Sequence, residues 1–258
     1  MENHGSYNPM ILSESHYLIT GAASGIGRAV SILLDKLGAR LSLVDINAKG
    51  LVETKSLCSN ANHSIWEFNL KNIEKINELV KNIVEADGQL NGMIHAAGIQ
   101  SVAPVKVLSI DVWREIFAIN TEAGLELAKY LQSKKVYAGT NGAIVFISSI
   151  MGLVGSPGAV AYSMSKSALH GIARSMALEY SSKGIRVNCI APGFVHTPLY
   201  DKTARLWDEE QRKKVEAMHP LGIGQPEDVA NAVAFLVSNM GRWVTGSVLS
   251  VDGGYCAQ

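Results

Sequence analysis

The chain has 258 residues, of which 47% are hydrophobic and 18% are charged, which fits one α/β domain with a full core. Its 23 basic and 23 acidic side chains cancel to a formal net charge of +0, so nothing in the composition indicates a nucleic-acid or membrane surface. No apolar run reaches the roughly 18 residues that cross a bilayer, residues 1–15 lack the pattern of a signal peptide, and the 3 separated cysteines fit a reducing cytoplasm.

Short apolar runs alternate with helical patterns along the whole chain. The predicted strands cover residues 16–20, 41–45, 64–68, 92–95, 142–148, 186–191 and 247–251. Between the first two, Ile26, Val30 and Leu34 recur at the spacing of an amphipathic helix. This alternation predicts a Rossmann-type, doubly wound parallel sheet of about seven strands with helices on both faces. Because no linker or repeat interrupts the pattern, we expect one domain over residues 1–258.

A glycine-rich turn lies between the first predicted strand and the first helix. Its glycines, Gly21, Gly25 and Gly27, permit a tight turn and let backbone N–H groups approach a pyrophosphate at the helix N-terminus. The spacing is G-x-x-x-G-x-G rather than G-x-G-x-x-G. The turn nevertheless follows a strand, opens a helix and precedes the strand-terminal Asp45 by about 20 residues, as a dinucleotide site requires. We therefore predict that residues 21–27 bind a dinucleotide, with Ser24 and Ile26 among the contacts.

Asp45 indicates which dinucleotide is preferred. A carboxylate at the end of the second strand can accept hydrogen bonds from both hydroxyls of the adenosine ribose. A 2′-phosphate at the same place would meet a like charge, and the neighbouring Ser24 and Ile46 are neutral. We therefore expect NAD(H) to be preferred over NADP(H).

Tyr162 and Lys166 stand four residues apart, and Ser149 precedes the tyrosine by thirteen. Residues at i and i+4 share a helix face, so the lysine ammonium is expected to lie near the phenol. A nearby positive charge lowers the pKa of a tyrosine from its usual value near 10, which makes the phenol usable as a general acid/base. The buried strand over 142–148 delivers Ser149 to the same space.

Together these features resemble the classical short-chain dehydrogenase/reductase family, and the resemblance covers nearly the whole chain. The matching motifs are the glycine signature at residues 20–27, the helix asparagine at 120, the serine, tyrosine and lysine above, the P-G-x-V-x-T segment at 192–197 and the ending at 251–254. The resemblance implies a catalytic set of Asn120, Ser149, Tyr162 and Lys166. It also implies coenzyme contacts from Tyr162, Lys166, Asn69, Leu70, Ala97, Gly98, Pro192, Gly193, Val195 and Thr197.

Two positions depart from the family pattern. His95 stands where the family usually has an asparagine that ties neighbouring strands, so we expect it to do a related structural job rather than bind a metal. Asn69 stands where the third strand usually ends in an aspartate that holds the adenine amino group. An amide can still accept that hydrogen bond, although without charge. No set of metal ligands is apparent.

The resemblance implies direct hydride transfer between the nicotinamide ring and a carbinol or carbonyl carbon. Tyr162 would remove the hydroxyl proton in oxidation, while Ser149 donates a hydrogen bond to the substrate oxygen. Lys166 would lower the pKa of the tyrosine and hold the nicotinamide ribose. Asn120 would kink its helix and fix a water that links Lys166 to solvent. Ser148 is expected to be structural.

Apolar residues near these positions indicate the kind of substrate. Residues 198–221 read as an amphipathic helix pair that either covers the pocket or packs on the surface. The apolar side chains that we expect in the pocket are Met151, Leu153, Val154, Leu199, Tyr200 and Trp207. We therefore expect a small alcohol or ketone with hydrocarbon character.

Two other functions compete with an alcohol dehydrogenase. A 3-oxoacyl-ACP reductase is favoured by the Gly-Ile-Arg-Val-Asn segment at 184–188, but such proteins usually prefer NADPH and carry basic residues where 137–141 is neutral. Lys134, Lys135 and Lys183 lie near that segment. A non-catalytic dinucleotide-sensing module is the alternative of a different class, although all four tetrad positions are filled. The resemblance further implies a cytoplasmic homotetramer or homodimer, built on helices at about 109–135 and 160–183.

Overall fold

The computed structural model describes residues 8–205 and 207–257, and the predictions that concern residues 1–7, 206 and 258 lie outside this part. Seven strands form one parallel sheet in the order β3-β2-β1-β4-β5-β6-β7. The strands are β1 His16–Thr20, β2 Arg40–Asp45, β3 Ser64–Glu67, β4 Gly92–His95, β5 Gly142–Ile147, β6 Ile185–Pro192 and β7 Val248–Val251. The predicted fold is confirmed. The strands at 16–20 and 92–95 have the predicted bounds, and the others differ by one residue at one or both ends.

Nine α-helical segments connect and flank the strands in the described part of the chain. They are α1 Gly25–Lys36, α2 Ala48–Ser56, α3 Ile76–Asp87, α4 Ile110–Phe117, α5 Ala123–Tyr130, α6 Val160–Tyr180, α7 Pro198–Ala204, α8 Glu209–Ala217 and α9 Pro226–Val237. A π-helical turn, Ala118–Glu122, joins α4 to α5. The helix predicted at about 109–135 is therefore interrupted, and it ends at Tyr130. The helix predicted at 160–183 ends at Tyr180, followed by a short 3₁₀ turn over Ser181–Lys183.

Two hydrophobic cores lie on opposite faces of the sheet. On one face, side chains of α3, α5 and α6 such as Ile83, Leu127 and Leu169 pack on the sheet. On the other face, α1 and α9 pack on the sheet through residues such as Leu34 and Val233. This two-sided coverage explains why the central strands are almost entirely apolar and buried.

The strand order changes direction between β1 and β4. The chain runs outward from β1 through β2 to β3, then crosses to β4 on the other side of β1 and continues to β7. In parallel sheets a crevice forms at this switch point, beyond the carboxyl ends of the strands. The fold therefore places a binding cleft above Thr20 and His95.

No helix among residues 8–205 and 207–257 combines the length and apolar character that a membrane crossing requires. The three cysteines, Cys58, Cys189 and Cys256, are all free thiols.

Candidate active site

A cleft and a smaller cavity adjoin at the carboxyl edge of the sheet. The cleft is lined by the predicted coenzyme residues Gly21, Ser24, Gly25, Ile26, Gly27, Asp45, Asn69, Leu70, Ala97, Gly98 and Thr197. The cavity is lined by Ser149, Tyr162, Lys166, Pro192, Gly193 and Val195. Ile26, Gly98 and Thr197 line both. The structure thus brings every predicted coenzyme position, and three of the four predicted catalytic side chains, to one continuous surface.

The glycine-rich turn leaves the first turn of α1 open to an anion. The N-cap residue Ser24 makes no side-chain hydrogen bond to the helix, and the first turn carries no acidic residue. Gly21 has a φ of 69°, and a Cβ there would lie 2.7 Å from the backbone nitrogen of Ala97. Only glycine can bring the turn so close to the chain after β4. Free N–H groups and the helix dipole both favour a negatively charged group at this place.

Asp45 stands at the end of β2 on the wall of the cleft. One carboxylate oxygen accepts a hydrogen bond from the backbone nitrogen of Ala23 at 3.1 Å, and the other accepts from Asn47 N at 3.0 Å. These bonds hold the carboxylate still, and each oxygen keeps a lone pair for a further donor. Arg28 does not line the cleft, because its guanidinium donates to Ala23 O and pairs with Glu53 at 3.0 Å.

The far end of the cleft is polar at one side. Asn69 Oδ1 accepts a hydrogen bond from Lys71 N at 3.0 Å, which fixes the amide in a turn after β3. Lys71 pairs with Glu115 across the cleft, with 3.0 Å between Nζ and Oε1. The only cation among the residues that line the cleft is therefore already paired.

Ser149, Tyr162 and Lys166 meet because a strand end faces the first turns of a helix. Ser149 lies two residues beyond β5, and its Oγ accepts a hydrogen bond from Met151 N at 3.1 Å. Lys166 is 3% exposed, and its Nζ donates to Ile147 O at 2.7 Å. The same Nζ lies 5.7 Å from the centre of the Tyr162 ring. The three groups therefore face one enclosed space.

Burial controls how these groups ionise. It raises the pKa of Tyr162 to about 12, against a smaller lowering by the hydrogen bond with Ser149. It also lowers the pKa of Lys166 to about 8. The expectation of a tyrosine pKa lowered by Lys166 is wrong, because removal of the phenolate from water raises the pKa and it is the hydrogen bond with Ser149 that opposes this rise.

Asn120 lies behind the cavity rather than in its wall. The amide is fully buried; its Oδ1 accepts from Ile99 N at 2.8 Å, and its Nδ2 donates to Ile99 O at 2.9 Å and to Ser165 Oγ at 3.0 Å. The residue belongs to the π-helical turn, a feature often found at functional sites. The helix is thus irregular at the residue where we predicted a kink. Asn120 ties the loop after β4 to α6.

Gly98 occupies the narrow space between this amide and the lysine. A Cβ at position 98 would lie 3.2 Å from Lys166 Nζ and 3.4 Å from Asn120 Oδ1. A side chain here would crowd the lysine ammonium and touch the amide. Gly98 lines both the cleft and the cavity, and because it has no side chain, only its backbone stands between the two spaces.

His95 links the end of β1 to the π-helical turn by hydrogen bonds, in line with the structural role that we expected. Its Nε2 donates to Ile119 O at 3.1 Å, so its Nδ1 accepts from the Thr20 hydroxyl at 2.9 Å. Burial, with a smaller contribution from Lys166, lowers the pKa of His95 to about 4, so the ring stays neutral. The imidazole fits because α5 has Gly124 opposite it, where a Cβ would lie 2.7 Å from the ring.

Ser148 and His170 form a second structural pair. Ser148 Oγ donates to Lys166 O at 3.0 Å and contacts His170 Nε2 at 2.7 Å. Both residues are buried. Ser148 also lines the cavity, but its hydroxyl is engaged by these two partners, which supports the structural role that we expect for it.

The predicted substrate wall is right in part. Met151, Leu199 and Tyr200 line the cavity, but Leu153, Val154 and Trp207 do not. The 3₁₀ turn over Ile150–Gly152 carries the chain outward, so Leu153 is 45% and Val154 36% exposed. Trp207 packs behind Phe194 and Tyr200 instead, with ring centroids 5.5 and 5.9 Å away.

Several residues of the cavity were not predicted from the sequence, among them Gln100, Phe194 and Thr203. Gln100 follows β4 by a few residues, and its amide nitrogen donates to Thr203 Oγ1 on α7. A signal existed for Gln100, since residues just after the carboxyl end of a parallel strand commonly face the ligand. His196 is exposed and contacts Tyr200, with 5.2 Å between the ring centroids.

Known proteins match the chain over almost its whole length. Residues 21–256 match the family model described as enoyl-(acyl carrier protein) reductase. The chain is 35% identical to a cis-4-hydroxycyclohexanecarboxylate dehydrogenase from Sinomonas cyclohexanicum, over 93% of this chain and 96% of the relative. It is 32% identical to a 3-oxoacyl-(acyl-carrier-protein) reductase from Thermotoga maritima, over 92% and 96% of the two chains. A crystal structure assigned as an NAD(P)-dependent gluconate 5-dehydrogenase from Beutenbergia cavernae, with NADP bound at low occupancy, superposes with a TM-score of 0.88 at 28% identity, covering 97% of this chain and 100% of that one.

Proposed function

The chain belongs to the short-chain dehydrogenase/reductase family, a group of oxidoreductases, and we propose that it interconverts a secondary alcohol and a ketone with NAD(H). The observation that carries the proposal is the meeting of Ser149, Tyr162 and Lys166 in a cavity that opens into the glycine-lined cleft at Gly98. A hydride carrier in the cleft and a proton donor in the cavity would then act on the same substrate carbon and oxygen.

The cleft fits a dinucleotide. The open N-terminus of α1 suits a pyrophosphate, Asp45 suits ribose hydroxyls, and Asn69 stands where an adenine amino group would need an acceptor. Thr197 lines both spaces, where its hydroxyl could meet a carboxamide. When bound, the nicotinamide supplies or accepts the hydride.

The side chains of the cavity would orient the substrate and transfer its proton. In ketone reduction, Ser149 donates a hydrogen bond to the carbonyl oxygen and orients it, and Tyr162 gives that oxygen its proton. In alcohol oxidation, the same phenolate takes the hydroxyl proton. Lys166 holds positive charge beside the ring, and Asn120 keeps the loop after β4 in place behind it. A water held near Asn120 would return the proton to solvent.

Charge favours NAD(H) over NADP(H). The 2′-phosphate of NADP would lie against Asp45, and the neutral Ser24 and Ile46 offer no compensation. Lys71 is paired with Glu115, and Arg28 is held toward α2 by Glu53. The relative with NADP bound shows that the fold also accepts the phosphorylated coenzyme.

The substrate is proposed to be neutral and largely hydrocarbon. Ile150, Met151, Phe194 and Leu199 dominate the cavity wall, and Lys166 is the only cation that lines it. A substrate carboxylate would find no free partner among these residues, and an unpaired buried charge is costly. We also propose that residues 198–221 cover this cavity, as a part of the single domain over residues 1–258.

A 3-oxoacyl-ACP reductase is the second candidate. The observation that favours it is the 32% identity to such an enzyme over most of both chains. The surface offers Lys134, Lys135 and Lys183 for an acidic carrier, although Lys183 already donates to Gln132 O. Asp45 argues against it, because it disfavours the NADPH that we associate with that reaction.

The deciding experiment follows absorbance at the NADH wavelength with a panel of cyclic and open-chain alcohols and ketones, one carboxylated cyclohexanol and one carrier-linked 3-oxoacyl thioester. We expect turnover with neutral secondary alcohols or ketones, and a Tyr162→Phe variant that loses at least about a thousandfold in kcat while its affinity for NADH changes less than about twofold. A Tyr162→Phe variant that keeps most of its activity would refute the role of the phenol.

Turnover of the thioester alone would select the second candidate. A chain that binds NADH but turns over nothing on the panel would favour a sensing module.

Three free cysteines fit the proposed cytoplasmic location.

A further inference from the structure

His219 is a buried imidazole that joins three parts of the chain. It follows α8 and is 3% exposed. Its Nδ1 contacts Val215 O at 2.7 Å, and because a carbonyl can only accept, Nδ1 carries the proton. Its Nε2 must then be the acceptor for Phe194 N–H at 3.1 Å. Both ring nitrogens are thus used, one by α8 and one by the segment that follows β6.

The surroundings reinforce this junction. The imidazole packs on the Phe194 ring at 5.5 Å and on the Tyr255 ring at 5.0 Å between centroids. Gly193 N donates to Val251 O at the end of β7, and Leu221 N donates to Gly253 O just beyond it. Asp252 lies near the imidazole, and its carboxylate accepts hydrogen bonds from the backbone nitrogens of Gly254 and Cys256. His219 therefore sits where three chain segments are joined.

We propose that His219 is a positioning residue for the nicotinamide half of the coenzyme. The proposal rests on the proposed function, since it requires that a dinucleotide bind in the cleft. Phe194 stands in the middle of residues 192–197, which supply Gly193, Val195 and Thr197 to the cavity wall. Its backbone N–H is held by His219 alone among the described contacts of that nitrogen. Loss of the acceptor would leave this N–H unpaired and let the segment shift away from the ring that it is proposed to support.

The adenine half of the cleft is built from other parts of the fold. Asp45 is the last residue of β2 and Asn69 follows β3 by two residues, and the hydrogen bonds of both involve neither His219 nor Phe194. A substitution at His219 should therefore weaken the binding of ligands that contain the nicotinamide. It should leave unchanged the binding of ligands that contain only the adenosine and phosphate groups. A general loss of protein stability would weaken the binding of both kinds of ligand.

Two amide variants separate the two bonds of the imidazole. In His219→Asn, the short amide can reach Val215 O but not Phe194 N. In His219→Gln, the longer amide places an acceptor near the position of Nε2. His63 supplies a matched control, because it is also buried, accepts from Leu41 N at 3.1 Å and bonds Asp35 at 2.8 Å, yet lines neither space.

The experiment measures the affinities of NADH and ADP-ribose for the full chain by calorimetry, with thermal melting as a check on folding. We expect His219→Asn to bind NADH about five- to tenfold more weakly and ADP-ribose within about twofold of the wild type. We expect His219→Gln to bind both within about threefold of the wild type, and His63→Leu to melt at a lower temperature with both affinities changed less than about twofold.

Equal weakening of NADH and ADP-ribose in His219→Asn would overturn the proposal, and so would an unchanged NADH affinity. If His219→Asn does not fold, His219→Leu, which removes both hydrogen bonds of the imidazole, decides: a loss confined to NADH supports the proposal, and equal losses for NADH and ADP-ribose, or an unchanged NADH affinity, overturn it. A wild-type chain that binds neither ligand would instead overturn the proposed function, and this proposal with it.

Discussion

Asp45 is held in place before any ligand arrives. Its two backbone hydrogen bonds fix the carboxylate at the end of β2, so little side-chain entropy remains to be lost when ribose hydroxyls bind. The same rigidity means that the carboxylate cannot swing away from a 2′-phosphate. We therefore expect the choice between NAD(H) and NADP(H) to depend on this one side chain.

Replacement of Asp45 by alanine should change this choice. We expect Asp45→Ala to weaken NADH by about 10- to 100-fold, because hydrogen bonds to a charged group contribute roughly 1.5–3 kcal/mol. The affinity for NADPH should fall less than the affinity for NADH, or should rise, because the substitution removes a negative charge near the 2′-phosphate. The dissociation constants of both coenzymes, measured by fluorescence titration, check this prediction. Equal losses for NADH and NADPH would contradict the role given to the carboxylate.

The burial of Lys166 costs the folded protein stability. Burial lowers its pKa from 10.5 to about 8 in the folded protein, so the folded state binds the proton less tightly than the unfolded chain does. Below pH 8 the Lys166 amine is protonated in both the folded and the unfolded state, so the full cost of burying its charge lowers the stability of the folded protein. Between about pH 8 and 10.5 the folded state gives up the proton first, so the cost fades as the pH rises.

We therefore expect Lys166→Met to abolish turnover and yet be more stable at pH 7, by about 1–2 kcal/mol after the lost bond to Ile147 is counted. The stability difference between variant and wild type should shrink from pH 8 to pH 10. Urea unfolding at the two pH values measures it. A variant less stable than the wild type at pH 7 would show that the bond to Ile147 outweighs the burial of charge.

At the scale of elements, α7 and the residues around it form the apolar side of the cavity. Phe194 and Tyr200 line it, and Trp207 packs on both rings from behind. Edge-to-face contacts of this kind contribute about 0.5–1.5 kcal/mol beyond the area they bury. The tryptophan thus supports the wall without touching the cavity.

Trp207→Ala should raise KM for an apolar ketone by about three- to tenfold, because the two lining rings lose their support. The affinity for NADH should change little. Steady-state kinetics and coenzyme titration test both expectations. Trp243→Ala is the control, since this tryptophan is 91% exposed, and it should leave KM unchanged. An unchanged KM in Trp207→Ala would mean that Trp207 does not support the substrate wall.

The elements also show what could be predicted from the sequence and what could not. β1 and β4 have their predicted bounds, because buried parallel strands are unbroken apolar runs between turn residues. The partnership of His95 with Gly124 was not visible, because it joins residues that are far apart in the chain and only the register of α5 brings them together. The orientation of Leu153 and Val154 was missed because a short 3₁₀ turn has no clear periodic signal. The direction of the Tyr162 pKa was missed because burial is a property of the packed structure.

At the scale of the whole molecule, the proposed homotetramer or homodimer remains to be tested. Exposed apolar side chains lie on or beside α4, α5 and α6, including Val107, Ile110, Leu125 and Met164. Scattered exposed apolar residues are normal on a monomer, but several along neighbouring helices suit an interface between copies of the chain.

Sedimentation equilibrium should therefore give two or four times the chain mass of 27.7 kDa at micromolar concentration. Apolar burial drives such an interface, so the assembly should persist in 0.5–1 M salt, where ion pairs are screened to about 3 Å at the upper limit. A single species of one chain mass under both conditions would contradict the proposed assembly.

Gly98 restricts how this sequence can diverge. Lys166 and Asn120 are each anchored by hydrogen bonds to the backbone, so a new methyl group at position 98 would require the ammonium, 3.2 Å away, to give way against its bond to Ile147 O. A substitution at position 98 would therefore disturb the groups that we propose to transfer the proton. Changes at Gln100, or at Thr203 and the other α7 residues that line the cavity, would alter the cavity wall and leave those groups in place.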